Sequence, residues 1–308
     1  MIKEAVKFYN FNESDATLIR HNENMTYKIE NNTCKYLMRI HKPIEGFNLG
    51  LLQMGSDHKK QIEDEMTLLE LISDISEIRV QKVIRNINNE RVTTLNDGTF
   101  VTVLGWLEGE TLENTEITKK NAYDIGVMIS KMHKTLKSLK LSNRYNYNEI
   151  LLSEMIKECD KAHEMKHFND NQADIIKNAL DYMRNFFINN KEKLVLVHSD
   201  FSKSNMIINQ GIVSPIDFSL SGYSVPEMDL ASVFSHINDE ILNAEILRGY
   251  ENESGQAINK AAMNICFCFQ ILLFVICQHN AVAGEPWFSE KLDEWCHKEF
   301  TTLLQNNK

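Results

Sequence analysis

The sequence predicts an α+β fold of two lobes, a small β-rich lobe carrying one helix followed by a larger, mainly helical lobe. Three observations predict it. Roughly the first hundred residues hold short β-like runs around one amphipathic segment. Beyond Thr118 the apolar residues recur mainly at helical spacing. Between the helices, residues 194–219 break into short apolar runs around a polar loop.

Residues 17–20 form the first strand. Met25–Glu30 and Lys35–Ile40 are strand-like runs joined by a turn containing Asn31-Asn32, a hairpin signal. From 57 to 73, Ile62, Met66, Leu69 and Ile72 lie at helical spacing and predict an amphipathic helix. Strands follow over 80–85, 91–95 and 99–104, the last two separated by the turn Asn96-Asp97-Gly98. Gly105-Trp106-Leu107-Glu108-Gly109 leaves the sheet as a hinge. Helices are predicted over 121–139, 147–163, 172–188, 227–249, 256–282 and 289–304. The organisation is therefore an N-terminal β-rich lobe over 1–104, a hinge over 105–109, and a helical lobe over 110–308.

The chain has 43% hydrophobic and 25% charged residues, an ordinary balance for a folded protein, and a formal charge of −10. That charge argues against a nucleic-acid binder, since no basic cluster could replace counterions on phosphates. It suits a cationic substrate. The six cysteines show no Cys-x2-Cys pair and read as reduced thiols of a cytoplasmic protein, with Cys266 and Cys268 packed in an apolar run. The N-terminal residues lack the apolar core of a secretory signal. The most hydrophobic segment, 265–277, is too short to span a bilayer and is interrupted by Gln270, so it predicts a buried helix and no membrane partner.

The segment Leu196-Val-His-Ser-Asp-Phe-Ser-Lys-Ser-Asn-Met206, followed by Pro215-Ile-Asp-Phe-Ser219, carries the chemistry. In the pattern His-x-Asp-x4-Asn, the aspartate orients the attacking hydroxyl and accepts its proton, and the asparagine holds magnesium. Asp200 and Asn205 fit these roles. A further carboxylate must bind magnesium against the β- and γ-phosphates, and Asp217 stands in that place. His198 braces the loop. The competing reading, in which these are ordinary turn residues, is weakened because they sit between strands and have partners upstream.

These residues resemble the aminoglycoside phosphotransferase and choline kinase superfamily, and look closest to its type II homoserine kinase branch. Further landmarks are Arg20-His-Asn-Glu-Asn-Met-Thr-Tyr27, Tyr36-Leu-Met-Arg-Ile-His41, Ile125-Gly126 with Met132-His133, and Asp217-Phe218 followed by Gly222 and Asp229-Leu-Ala231. The resemblance implies a protein-kinase-like two-lobe fold. It places Arg39 at the phosphate-clamping strand position and Glu65 as its ion-pair partner, with Glu63 and Asp64 as adjacent alternatives. For Arg39 the competing reading is a surface charge on an edge strand. The loop 21–25 lacks glycine, so Asn22, Asn24 and nearby amides would cover the phosphates instead. Adenine would lie against backbone near Leu104 to Leu107, with Trp106 either stacking on it or packing into the helical lobe. Ser219 replaces the glycine of Asp-Phe-Gly.

The expected function is an ATP- and magnesium-dependent kinase, with GTP as the other nucleotide to test, acting on a hydroxyl of a small molecule. Amino alcohols, amino sugars and aminoglycosides all stay open as acceptors. Glu227, Asp229, Asp239 and Glu240 are the acidic residues that could face such a cation, Asp229 more readily serving to brace the loop. A protein kinase and a non-catalytic nucleotide-binding pseudokinase are the alternatives. The short stretch after Asp217 speaks against the former, and the presence of Asp200, Asn205 and Asp217 together against the latter.

Overall fold

The computed structural model describes residues 1–31, 34–45, 50–52, 57–75 and 77–305. After a short helix α1 (Ile2–Ala5) the chain builds an antiparallel sheet from β1 (Ala16–His21), β2 (Met25–Glu30), β3 (Lys35–Ile40), β4 (Val83–Ile84), β5 (Thr93–Thr94) and β6 (Phe100–Gly105). The strand order is β1-β2-β3-β6-β4, with β5 added to β6. The β2–β3 pairing is in register from Met25 opposite Ile40 to Glu30 opposite Lys35, while Asn32 of the expected turn lies outside the described residues. Alternation along β3 sends Met38 and Ile40 into a small core with Ala5, Val6 and Val103. Leu37 and Arg39 consequently face the other side, toward the helix α2 (His58–Ile75) and the cleft.

Strands β4 and β5 are shorter than the alternation predicted. Asn86 explains this, since its side-chain oxygen accepts from the Asn88 and Glu90 amides and its Nδ2 donates to Thr93. The backbone turns there, with Asn89 at φ 63°, before pairing can extend. The expected turn at 96–98 is present, with Gly98 at φ +85° and the Leu95 amide donating to the Thr99 carbonyl.

Past Gly105, β7 (Glu110–Thr111) leads into α3 (Lys119–Leu136), whose Thr118 and Asn121 form a reciprocal cap. Then come β8 (Tyr145–Asn146), α4 (Glu149–Glu164) and α5 (Asp170–Asn189). The polar loop lies between β9 (Val195–Val197) and the hairpin β10 (Met206–Asn209) and β11 (Ile212–Pro215), followed by β12 (Gly222–Ser224). Gln210 and Gly211 both take positive φ, the backbone of a tight two-residue hairpin turn. β7 pairs with β10, and β12 pairs with both β8 and β9, so the loop is held between two small sheets.

The predicted helix over 227–249 is two helices, α6 (Glu227–His236) and α7 (Glu240–Ser254). Asp239 divides them because its carboxylate accepts from the Ile241 and Leu242 amides, starting a new helix. α7 crosses α3 at a close approach where a Cβ on Gly126 would run into the Ile246 carbonyl and one on Gly249 into the Tyr123 carbonyl. The apolar segment is longer than its hydropathy core suggested. α8 (Lys260–Val282) has the length and composition to cross a membrane, which corrects the argument from shortness, but half of its apolar window is buried within the protein. Ile265, Cys266, Phe269, Leu272 and Ile276 pack in the main core, and Gln270 is no interruption because it donates to the Ser199 carbonyl. The last predicted helix is α9 (Pro286–Trp295), a wide π turn over Cys296–Phe300, and α10 (Thr301–Gln305). This is a mixed α+β, protein-kinase-like architecture.

Candidate active site

Two buried carboxylates and one guanidinium organise the cleft between the sheet and the helices. Arg39 on β3 donates from Nη1 to Glu65 Oε1 of α2 at 2.8 Å, with both side chains almost fully buried. Its Nη2 lies 3.3 Å from Asp217 Oδ1, a charge contact without a hydrogen bond, so this buried oxygen has no donor among the described residues. Arg20 on β1 adds a longer contact, Nη2 to Asp217 Oδ2 at 3.8 Å. Burial alone would raise the Asp217 carboxyl, but Arg39, the neighbouring Ser219 hydroxyl, Arg20 and His198 outweigh it and hold it below its ordinary value. Burial likewise works against the charge on Arg39, and the Asp217, Glu65 and Glu23 carboxylates overcome that and strengthen its hold on its proton.

Asp200 and Asn205 meet directly. Asn205 Nδ2 donates to Asp200 Oδ2 at 2.7 Å and to the Asp200 carbonyl at 3.1 Å, which turns the amide oxygen of Asn205 the other way. Burial raises the Asp200 carboxyl above its ordinary value, and nearby Asp217 adds to the rise. Beneath the loop, wholly buried Asp229 accepts from the His198 amide at 3.0 Å and the Ser199 amide at 2.7 Å, and it bonds His133 Nε2 at 2.9 Å. His198 is 3.0 Å from the Ile216 carbonyl through Nε2 and is flanked by the Phe201 and Phe218 rings. Ser199 and Asp217 both sit at φ 65°, a left-handed conformation that non-glycine residues rarely adopt and that this web of bonds maintains. Ser219 has no positive φ, so nothing there requires the glycine that it replaces.

A cavity of about 280 Å³ lies over these groups, lined by Arg39, Asn205 and Asp217 at one end and by Trp106 and Leu107 toward the hinge. A second cavity, of about 690 Å³, opens on the Asp200 side. The Asn205–Asp200 bond is the partition between them. Trp106 lines the first cavity with the Lys28 ammonium 5.2 Å from its ring. Two expected contributors have side chains that do not line this cavity. Leu104 is fully buried under α2 and does not line the cleft, because β6 pairs on both sides there. Asn24 is also buried and lies outside the cleft, its carbonyl accepting from the Asn22 amide within the turn. None of Glu227, Asp229, Asp239 and Glu240 lines the second cavity.

Sequence reasoning passed over three residues. Glu23 comes down from the β1–β2 turn to accept from Ser219 Oγ at 3.3 Å, and burial followed by the Asp217 and Glu65 charges pushes its carboxyl up to about 7. Gln81 lines the first cavity and donates to the Gly105 carbonyl at 3.3 Å. Arg144 gives Nε to the Ser221 carbonyl, Nη1 to that of Gln61, and Nη2 to those of Phe218 and Ser219. No motif marks Arg144 or Gln81, but Glu23 stands inside the quoted 20–27 segment, where a lone acid among amides was the available signal.

Comparison with known proteins bears on the fold and the family. Among curated protein sequences none matches the chain. An amicoumacin kinase bound to AMP-PNP, Ca2+ and Ami is similar in structure, with a TM-score of 0.77 at 18% identity over 98% of this chain and 92% of that one. A microcompartment-associated aminopropanol kinase gives 0.77 at 16% over 98% and 95%. A spectinomycin phosphotransferase in complex with ADP and spectinomycin gives 0.65 at 13% over 95% and 92%. The branch-level likeness to type II homoserine kinases is carried by the sequence landmarks alone. The model of the phosphotransferase enzyme family matches residues 15–263, most of the chain, which therefore belongs to that family.

Proposed function

We propose that the chain is an ATP- and magnesium-dependent kinase that phosphorylates a hydroxyl of a small molecule in the cytoplasm. The observation that carries this is the partition. Asp200 faces the larger cavity, Asn205 and Asp217 face the smaller one, and a 2.7 Å bond joins the two sides. In this reading residues 1–104 form the nucleotide-binding lobe, 105–109 the hinge and 110–308 the lobe that holds the acceptor.

Asp217 and Asn205 suit a magnesium ion. The unpaired Asp217 Oδ1 and the amide oxygen of Asn205 are hard donors, few enough to leave room for phosphate oxygens and water. Magnesium would neutralise charge on the β- and γ-phosphates. Arg39, held by Glu65, orients the phosphates from the strand side, and Arg20 guards the cleft edge. Trp106 and Leu107 flank the base. Asp200 orients the acceptor hydroxyl and takes its proton as the oxygen bonds to the γ-phosphorus and the bond to ADP breaks. Alignment and charge stabilisation supply the rate, with no covalent enzyme intermediate.

The names of similar structures, an amicoumacin kinase and an aminopropanol kinase, support amine-bearing acceptors. Between Asp217 and α6 only residues 218–226 intervene, and they are taken up by β12 and the Arg144 bonds, which leaves no platform for a peptide. Asp200→Ala is expected to abolish ADP release with MgATP and an accepted alcohol while nucleotide binding by calorimetry stays near wild type. Turnover at the wild-type rate in that variant would refute the assignment.

A further inference from the structure

The larger cavity has a distinctive chemistry. α8 and the last helices wall it with aromatic rings, including Phe274 and Trp295, whose centroids are 6.3 Å apart and nearly perpendicular. Asp200 and three charged residues of the last helices, Lys291, Glu294 and Glu299, also line it. Two of these cancel. Lys291 Nζ lies 2.7 Å from Glu294 Oε2, and Lys298 takes the other oxygen at 3.0 Å. Glu299 makes no hydrogen bond or ion pair among the described residues, although it is only partly exposed.

A helix irregularity places Glu299. The π turn over Cys296–Phe300 keeps both Cys296 and Phe300 buried, at 1% and 0% exposure, while Glu299 and Trp295 both line the cavity. Such turns are rare and occur frequently at functional sites. Trp295 already receives one ammonium, Lys291 Nζ at 5.7 Å from its ring.

We infer that this cavity selects an amine-bearing alcohol with a flat apolar or aromatic body, its ammonium held by Glu299 and the Trp295 ring and its body against Phe274. The inference rests on the phosphotransfer reading for the role of Asp200. A polyhydroxylated amino sugar fits less well, because aromatic walls return few of the hydrogen bonds that its hydroxyls lose on leaving water.

The test uses the full chain with three probes: 2-amino-1-phenylethanol, its neutral counterpart 1-phenylethane-1,2-diol, and kanamycin. Binding is read by calorimetry with AMP-PNP and magnesium, and turnover by ADP release with MgATP. The amino alcohol should bind most tightly, and Glu299→Gln should weaken it by roughly tenfold or more while leaving the diol unchanged. Trp295→Leu should weaken both aromatic probes. In turnover the Glu299→Gln loss should appear in KM more than in kcat. Equal binding of amine and diol by the wild type, tightest binding of kanamycin, or unchanged affinity in Glu299→Gln would overturn the inference. Glu299-dependent binding of the amino alcohol would support the cavity's selectivity even without ADP release, whereas loss of magnesium-dependent AMP-PNP binding would overturn the phosphotransfer reading instead.

Discussion

Replacing Arg39 with methionine tests the charge arrangement of the cleft most directly. The side chain is 4% exposed and lies 2.8 Å from Glu65 and 3.3 Å from Asp217. At an effective dielectric of about 20, unit charges about 4 Å apart attract by about 4 kcal/mol, and burial of the three groups opposes that gain. Removing the guanidinium leaves buried Glu65 without its cation and Asp217 with only the longer Arg20 contact, with Glu23 close by. A loss of about 3–5 kcal/mol follows. With an unfolding entropy of about 2 cal/mol/K per residue over 308 residues, the midpoint should fall by about 5–8 °C. The double variant Arg39→Met/Glu65→Met removes one stranded carboxylate and should recover at least half of that loss, because an apolar pair can replace a buried ion pair. Phosphotransfer should not return, since in the proposed reading Arg39 is the group that orients the phosphates. Thermal unfolding at pH 7.5 and ADP release measure the two effects. An Arg39→Met midpoint equal to wild type, or a double variant less stable than the single, would refute this account.

Glu23→Gln should stabilise the metal-free protein in a pH-dependent way. Glu23 keeps its proton to about pH 7 when folded and to about 4.5 when unfolded, so the folded chain binds more protons in that window and stability falls as pH rises through it. The glutamine variant should gain up to about 3 kcal/mol above pH 7 and nothing below pH 4.5, readable as a midpoint difference that vanishes in acid. Gly126→Ala should cost about 1–3 kcal/mol in urea unfolding, because the methyl meets the Ile246 backbone rather than a side chain that could yield. Asp229→Ala strands two backbone amides and an imidazole in a wholly buried place, so about 3 kcal/mol or more should be lost. Its kcat should fall further than its nucleotide affinity, since the loop that sets Asp200 loosens.

The lobe order and the longer elements were legible because period and turn chemistry agreed. Met25–Glu30 and Lys35–Ile40 alternate between two different neighbours, and the structure returns both strands with those bounds. Asp200, Asn205 and Asp217 were legible because local spacing holds them within one loop and hairpin. What escaped depended on distant contacts. β7, β8 and β12 are two or three residues long and exist only through partners elsewhere in the chain. Leu104 and Asn24 are adjacent in sequence to the cleft, yet burial directs them elsewhere. Asp239 could have been read as a cap, which would have divided the 227–249 helix, but its apolar spacing continues across the break. Arg144 is an arginine in a loop until folding brings four carbonyls around it.

That arginine bears on how the cleft keeps its shape. Its hydrogen bonds tie Gln61, in the first turns of α2, to the backbone just after Asp217. Glu65 lies one turn further along the same helix. Swinging α2 outward, or turning the Asp217 segment over, would break charge-assisted bonds of about 1.5–3 kcal/mol each. The spacing of Arg39, Glu65 and Asp217 is thus set by the packing of the folded chain, with Arg144 as the fastener between the helix and the loop.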